Sequence, residues 1–373
     1  MATAIGGIKR FRTITTIQVI AIIFSYRIGI IDAFSTFLTK STNNNKNAIN
    51  NEGNNKNIKY DIPIVICPGF GNDSIDYDRP LNQPPSKGLK TILSTKGFNI
   101  DNIYTVPIQR ADWIRVGSGL FDIPNFYINQ AKPSGLGYGW YLRRVKECVD
   151  LAHEESGGKK VMLIGHSAGG WLARAVMGNG IWCEENNIRV NDKISGLVTI
   201  GAIHKVPMDE LSCVTRGALR YVQENYPGAF LKEEGIKYVS IGGKAIVGDN
   251  DDDLDDDSQS KADKVYSVRG EGSASKVAYT SYKAVCGDGK VIGDGVVPLE
   301  WSLLEGSRQV ELDGALHSIN EAGTTIPTDR WYGSESIIDR WLPIVLDEFN
   351  LEGNKADGDI FAGMQKWASS IFN

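Results

Sequence analysis

Residues Gly165-His166-Ser167-Ala168-Gly169 set one serine between two glycines in a G-x-S-x-G pentapeptide. A serine in a sharp turn from strand to helix presents its hydroxyl as a nucleophile. The helix start behind it favours the negative charge that develops during attack. The flanks fit this geometry: Val161 to Ile164 is a short apolar run, as a strand buried on both faces requires. Leu172, Ala173, Ala175, Val176 and Met177 continue as a helix-forming stretch. Glycine at 165 and 169 removes side chains that would collide where strand and helix pass. Ser167 is the candidate nucleophile, and a coincidental Gly-Ser loop is the plainer alternative.

A serine hydroxyl attacks well only when a base takes its proton and a third group orients that base. The chain has four histidines: His153, His166, His204 and His317. His166 lies inside the turn, with its side chain pointing away from the hydroxyl's partner. His153 comes late in an amphipathic stretch whose Tyr141, Val145, Cys148, Val149 and Ala152 share one helix face, which makes it a surface residue. In the order Ser, Asp, His, the base follows the last strand. Gln309 to Leu312 alternates like a strand end, Asp313-Gly314 is a turn signal, and His317 follows directly. His317 is the candidate base. His204, directly after the strand-like Leu197–Ile200, is the alternative.

The orienting acid belongs between the two. Acids are plentiful after the strand-like Ile236–Ile241, but Asp249 to Asp257 is almost continuous aspartate, a like-charge run that repels itself and buries nothing. Asp294 differs, because Gly293-Asp294-Gly295-Val296-Val297-Pro298 places one carboxylate in a tight turn before an apolar stretch. There it can be buried against an imidazole N–H; otherwise it is an ordinary Asp-Gly turn. A second apolar run, Ile62 to Cys67, ends in Pro68-Gly69-Phe70-Gly71-Asn72. Such a loop can aim the Phe70 N–H at a developing oxyanion, with the Ala168 N–H as the second donor.

Together, Pro68–Asn72, Gly165–Arg174 and Gly293–Pro298 resemble the corresponding motifs of the α/β-hydrolase superfamily. Asp112-Trp113-Ile114-Arg115, Tyr221-Val222, Asn225–Ala229 and Trp331–Ser334 are similar to a lipase-like branch found in plant and algal plastids. The resemblance runs over residues 60–348. It implies an α/β-hydrolase fold, with a mostly parallel central sheet and helices on both faces. It also implies Ser167, Asp294 and His317 as nucleophile, acid and base, with oxyanion donors from Phe70 and Ala168. The expected activity is hydrolysis of carboxylic esters of small molecules or acyl lipids through an acyl-enzyme. Thioester hydrolysis or acyl transfer, and a non-catalytic binding protein of the same fold, are the alternatives, since this fold hosts many chemistries.

Composition narrows the partners. A net charge of −5 leaves no basic stripe for phosphates, so nucleic acid is not expected. Five cysteines, at 67, 148, 183, 213 and 286, lack C-x-x-C spacing and read as buried thiols of a reducing compartment. No metal or cofactor is implied. The 373 residues divide into a signal-peptide-like segment 1–33, an acid-poor Asn/Ser/Thr-rich segment 34–57, a hydrolase domain 58–350 and an amphipathic tail 351–373. Within the domain, 248–263 is expected to be a disordered acidic loop.

Lys9, Arg10 and Arg12 precede the apolar-rich 14–31, interrupted by Arg27, and only Glu52 is acidic between Ser35 and Asn57. This order resembles the bipartite presequence of complex-plastid algae, so a plastid is the expected location and secretion the alternative. Two segments bear on substrate. Residues 205–235 read either as a lid or as a core-packing helix. The tail, with Ile360, Phe361, Met364, Trp367, Ile371 and Phe372 at helical spacing, either docks on its own domain or makes a peripheral membrane contact.

Overall fold

The computed structural model describes residues 58–182, 189–207, 213–250, 271–321 and 324–351, with side chains omitted at 271–273. The expectations for 1–57, 352–373, Cys183 and most of the acidic run lie outside these residues. Of that run, Asp249 is described. Its N–H donates to the Ser275 carbonyl at 3.1 Å, and its carboxylate lies 3.6 Å from Lys290 Nζ.

Six strands form one parallel sheet: β1 (Ile64–Cys67), β2 (Ile103–Thr105), β3 (Val161–His166), β4 (Ile194–Ile200), β5 (Lys237–Lys244) and β8 (Arg308–Asp313). Their spatial order is β2-β1-β3-β4-β5-β8. Two short strands, β6 (Ile246–Val247) and β7 (Ile292–Gly293), pair antiparallel beyond the end of β5. The main helices are α1 (Leu89–Thr95), α2 (Gly139–Glu155), α3 (Ala168–Gly178), α4 (Ala218–Asn225), α5 (Glu271–Cys286) and α6 (Glu335–Glu348).

The period of two along each strand sorts the apolar side chains onto two faces. Val65, Cys67, Val161, Leu163, Leu197 and Tyr238 pack on one face with α2, α3 and α4. Ile64, Ile66, Met162, Ile164, Val198, Ile200, Val239 and Ile241 pack on the other with α1 and α6. Both faces are therefore dry, which is why β1 and β3 read as unbroken apolar runs. Helix α2 buries Tyr141, Val145, Cys148, Val149 and Ala152 on the stripe its spacing predicts, and α6 buries Ile337, Ile338, Trp341, Leu342 and Val345. Each such side chain contributes about 1.5–3 kcal/mol relative to exposure. This is the α/β-hydrolase fold expected from the motifs.

The direction of winding reverses between β1 and β3. The chain runs outward from β1 to β2, then returns to β3 on the other side and continues to β8. Loops leaving β1 and β3 at their carboxyl ends thus diverge and open a crevice, the usual ligand position in such sheets. Cys67 pairs with Gly165, so the Pro68–Asn72 loop and the Ser167 turn leave the sheet side by side.

Candidate active site

Ser167 sits between β3 and α3 with φ 52° and ψ −124°, a strained conformation for a residue with a side chain. The turn is tight because α3 passes over β1. A Cβ on Gly169 would lie 2.1 Å from the Cys67 carbonyl oxygen. The Ser167 N–H donates to the Ile200 carbonyl at 3.0 Å, which ties the turn to β4.

Two further loops converge on this serine. His317 follows β8 and Asp294 follows β7, 23 residues apart in sequence. His317 Nε2 lies 3.0 Å from Ser167 Oγ, and His317 Nδ1 lies 2.8 Å from Asp294 Oδ2. The three residues proposed from sequence are therefore brought together. Asp294 is buried and held by several donors. Its Oδ1 accepts the Val296 and Val297 N–H groups at 3.0 and 2.7 Å, and its Oδ2 also accepts the Tyr332 hydroxyl at 2.8 Å. These donors satisfy both carboxylate oxygens in a dry site. Next to it, Gly201 (φ 58°) leaves room for this arrangement: a Cβ there would lie 2.6 Å from the Tyr332 ring and 2.8 Å from Asp294 Oδ2.

The Pro68–Asn72 loop lies against Ser167. A Cβ on Gly69 would meet Ser167 Cβ at 2.8 Å. Phe70 is half-buried and packs at a tilt against Trp113, ring centroids 5.0 Å apart, and the Trp113 indole N–H donates to the Asn72 carbonyl at 2.9 Å. Ala168 opens α3, where N–H groups of the first turn lack intrahelical acceptors. Phe70 and Ala168 thus flank Ser167 on the loop and helix sides.

Four contributors escape sequence reasoning. Tyr332 is one. The others are Asn72, Tyr77 and His166, which form a buried cluster behind the serine. His166 Nε2 lies 3.1 Å from the His317 carbonyl, an acceptor only, so this nitrogen carries the proton. Nδ1 then accepts from the Tyr77 hydroxyl at 2.9 Å and from the Asn72 amide at 3.1 Å. The Tyr77 hydroxyl in turn accepts the Gly69 N–H at 2.9 Å. His166 points away from the serine hydroxyl, as its place in the turn predicts, but it is far from idle: it joins the base's loop to the β1 loop. No periodicity or spacing marks these partners; they meet only through the fold.

His204, the alternative base, lies apart from Ser167 Oγ's hydrogen bonds. It is buried and accepts at Nδ1 from Arg174 at 3.3 Å, while Nε2 lies 3.0 Å from Thr199 Oγ1. Burial, then the neighbouring guanidinium, hold its pKa well below the ordinary histidine value. Arg174 is itself buried, which lowers its pKa to about 10, and it donates to the Tyr226 carbonyl. His153 is half-buried near the end of α2, with Nδ1 2.9 Å from the Lys159 carbonyl.

In the 205–235 segment, α4 buries Ala218, Leu219 and Val222 against the core shared with α3, so this part is a core-packing helix. Met208 and Leu211 lie outside the described residues. Cys67, Cys148 and Cys213 are buried free thiols and Cys286 is a partly exposed one. Burial pushes the Cys148 thiol up to about 12, which makes it inert as a nucleophile. Among the described residues, no group of His, Cys, Asp or Glu is placed to hold a metal ion, and no helix is long and apolar enough to cross a membrane. A depression of about 260 Å³ lined by Asp122, Ser134, Gly135, Leu136, Trp140 and Arg143 contains none of the three converging residues.

Residues 138–220 match the family model of lecithin:cholesterol acyltransferase, less than a quarter of the chain but the part that holds the Ser167 turn. No curated protein matches the chain in sequence. Among solved structures, the mature Bacillus licheniformis lipase BlEst2 is similar at 11% identity, over 77% of this chain and 92% of that one, with a TM-score of 0.40. Phospholipase PlaB from Legionella pneumophila in complex with thio-NAD is similar at 12% identity over 77% and 63%, with a TM-score of 0.39. A soluble variant of monoglyceride lipase from Saccharomyces cerevisiae is similar at 12% identity over 78% and 88%, with a TM-score of 0.32. Likeness this distant leaves the chemistry to be read from the residues themselves.

Proposed function

We propose that this protein is a serine hydrolase acting on carboxylic esters, with acyl lipids as the substrate class. The observation that carries the reading is the unbroken line from Ser167 Oγ to His317 Nε2 (3.0 Å) and from His317 Nδ1 to Asp294 Oδ2 (2.8 Å). Ser167 Oγ attacks the ester carbonyl as His317 Nε2 takes its proton. The Phe70 and Ala168 N–H groups receive the oxyanion, each contributing about 3 kcal/mol to the transition state. The tetrahedral intermediate collapses, the C–O bond breaks, and His317 returns the proton to the leaving alcohol. Water, deprotonated by His317, then releases the acid and restores Ser167. Asp294 fixes the imidazole tautomer through its contact with His317 Nδ1 and stabilises the imidazolium.

Acyl transfer is the second reading, favoured by the family-model match over 138–220. It differs only in the second step, where an alcohol replaces water. Covalent labelling by a fluorophosphonate tests the core of both readings. Purified protein is expected to label at Ser167 and not in Ser167→Ala, and a panel of acyl esters, with and without a long-chain alcohol acceptor, separates hydrolysis from transfer. Absence of labelling in the native protein would point to a non-catalytic binding protein.

A further inference from the structure

Among the described residues, ten large hydrophobic side chains are exposed, and seven of them lie between 114 and 136. Ile114, Phe121 and Ile123 are the extreme cases, at 69%, 78% and 70% exposed. The segment is an ordered arm. A 3-10 stretch over Arg110–Phe121 is followed by turns, with Ser118 Oγ donating to the Leu136 carbonyl at 2.8 Å and Asn125 Nδ2 to Asp122 Oδ1 at 2.9 Å. The Ala131 N–H donates to the Arg216 carbonyl at 3.0 Å, and the Arg216 guanidinium lies 5.1 Å over the Phe126 ring. Such a concentration of apolar surface on an otherwise well-buried chain marks an interaction site.

Charge indicates what it meets. Residues 112–144 carry Arg115, Lys132, Arg143 and Arg144 against two acids, Asp112, which pairs with Arg144 and Arg115, and Asp122, in a chain whose net charge is −5. Arg115, Lys132 and Arg143 are exposed. Exposed apolar side chains with exposed cations on the same stretch of an acidic protein match a surface that is greasy beneath and anionic on top. Both roots of the arm are seated on the site. Trp113 packs at a tilt against Phe70 of the β1 loop, and Tyr138 meets Trp171 of α3 edge-on at 5.1 Å.

We propose that the 114–136 arm docks this protein on an anionic lipid bilayer, inserting Ile114, Phe121 and Ile123 and setting Lys132 and Arg143 against the headgroups. The proposal deepens the ester-hydrolase reading by naming the physical state of the substrate, but binding is measured without turnover. In flotation with the full chain, phosphatidylcholine vesicles containing three-tenths phosphatidylglycerol are expected to bind more strongly than phosphatidylcholine alone. Ile114→Ser/Phe121→Ser/Ile123→Ser should lower partitioning at least tenfold while leaving turnover of a soluble butyrate ester unchanged. Lys132→Gln/Arg143→Gln should remove the preference for the anionic lipid.

Because residues 1–57 contain an apolar stretch of their own, a local reporter decides the matter. A nitrobenzoxadiazole label on Phe121→Cys should shift to the blue and brighten with anionic vesicles. An unshifted label overturns the proposal, as does a triple variant that instead converts a dimer to a monomer, which would assign the arm to a second copy of this chain. If the soluble ester is not turned over by the native protein, the hydrolase reading fails and the docking result stands by itself.

Discussion

Tyr332→Phe tests how the acid is held. The ring keeps its packing, and a single hydroxyl is lost from Asp294 Oδ2, which it approaches to 2.8 Å. Burial, then the adjacent carboxylate, push the Tyr332 pKa well above that of an ordinary tyrosine, so the group is a neutral donor at every working pH. A hydrogen bond to a buried charge contributes about 1.5–3 kcal/mol, and the variant should lose stability by that amount in urea unfolding. The carboxylate oxygen that orients His317 Nδ1 at 2.8 Å also loses its second anchor. Turnover of a soluble ester should therefore fall, but less than tenfold, because the His317–Asp294 bond remains. Urea denaturation and steady-state turnover measure both effects. Unchanged stability, or a loss of turnover as large as that of Asp294→Asn, refutes this account of the Tyr332 hydroxyl.

Gly69→Ala brings a methyl to 2.8 Å from Ser167 Cβ, so the loop must withdraw and kcat should fall about a hundredfold with KM little changed; an unchanged kcat would mean that the loop yields elsewhere. His166→Leu cuts the link from the β1 loop to the His317 carbonyl and should lower kcat at least tenfold in steady-state turnover, against the null effect expected of a residue that only fills space. His204 is held uncharged when folded, whereas the unfolded chain takes up its proton below about pH 6.5, so stability should fall with decreasing pH by up to about 1.4 kcal/mol per unit. His204→Gln should show a shallower slope in urea titrations between pH 6.5 and 5, and an equal slope would argue that His204 ionises in place. A reporter fused to residues 1–57 is expected to enter the plastid of a complex-plastid alga, whereas residues 1–33 alone reach only the secretory system; the full fusion in the medium would defeat the plastid expectation.

The parts legible in the sequence are those set by local rules. The apolar run of β3, the glycines around Ser167 and the helical stripe of α3 all depend on neighbours within a few residues, and the fold class follows from them. Asp294 and His317 stand in turns with distinctive local chemistry, and the fold brings them together with Ser167. What local rules leave open is set by contacts distant in sequence. Tyr332 reaches Asp294 across 38 residues, and Tyr77 reaches His166 across 89. The apolar spacing of 205–235 suits a lid or a core helix equally, and only the burial of Leu219 and Val222 decides for α4. The exposed arm escapes for the opposite reason: its Ile, Leu and Phe residues look like core, and only their exposure among the described residues places them at the surface.

The hydrogen bonds around His317 explain how a site drawn from separate loops is made rigid. The base is held at its ring by Asp294, at its N–H by the Asp294 carbonyl at 3.0 Å, and at its own carbonyl by His166. His166 is the residue before the nucleophile, and through Tyr77 it also fixes the Gly69 N–H. Asp294, His317, Ser167 and the β1 loop therefore share one network, in which any member's displacement strains the rest. In a low-dielectric interior such bonds are strong when satisfied and costly when broken, so the network has one favoured arrangement. A site preorganised in this way loses little on reorganisation when charge develops at the oxyanion. The exposed 114–136 arm begins outside this network, one residue beyond Trp113, whose indole N–H holds the Asn72 carbonyl at 2.9 Å.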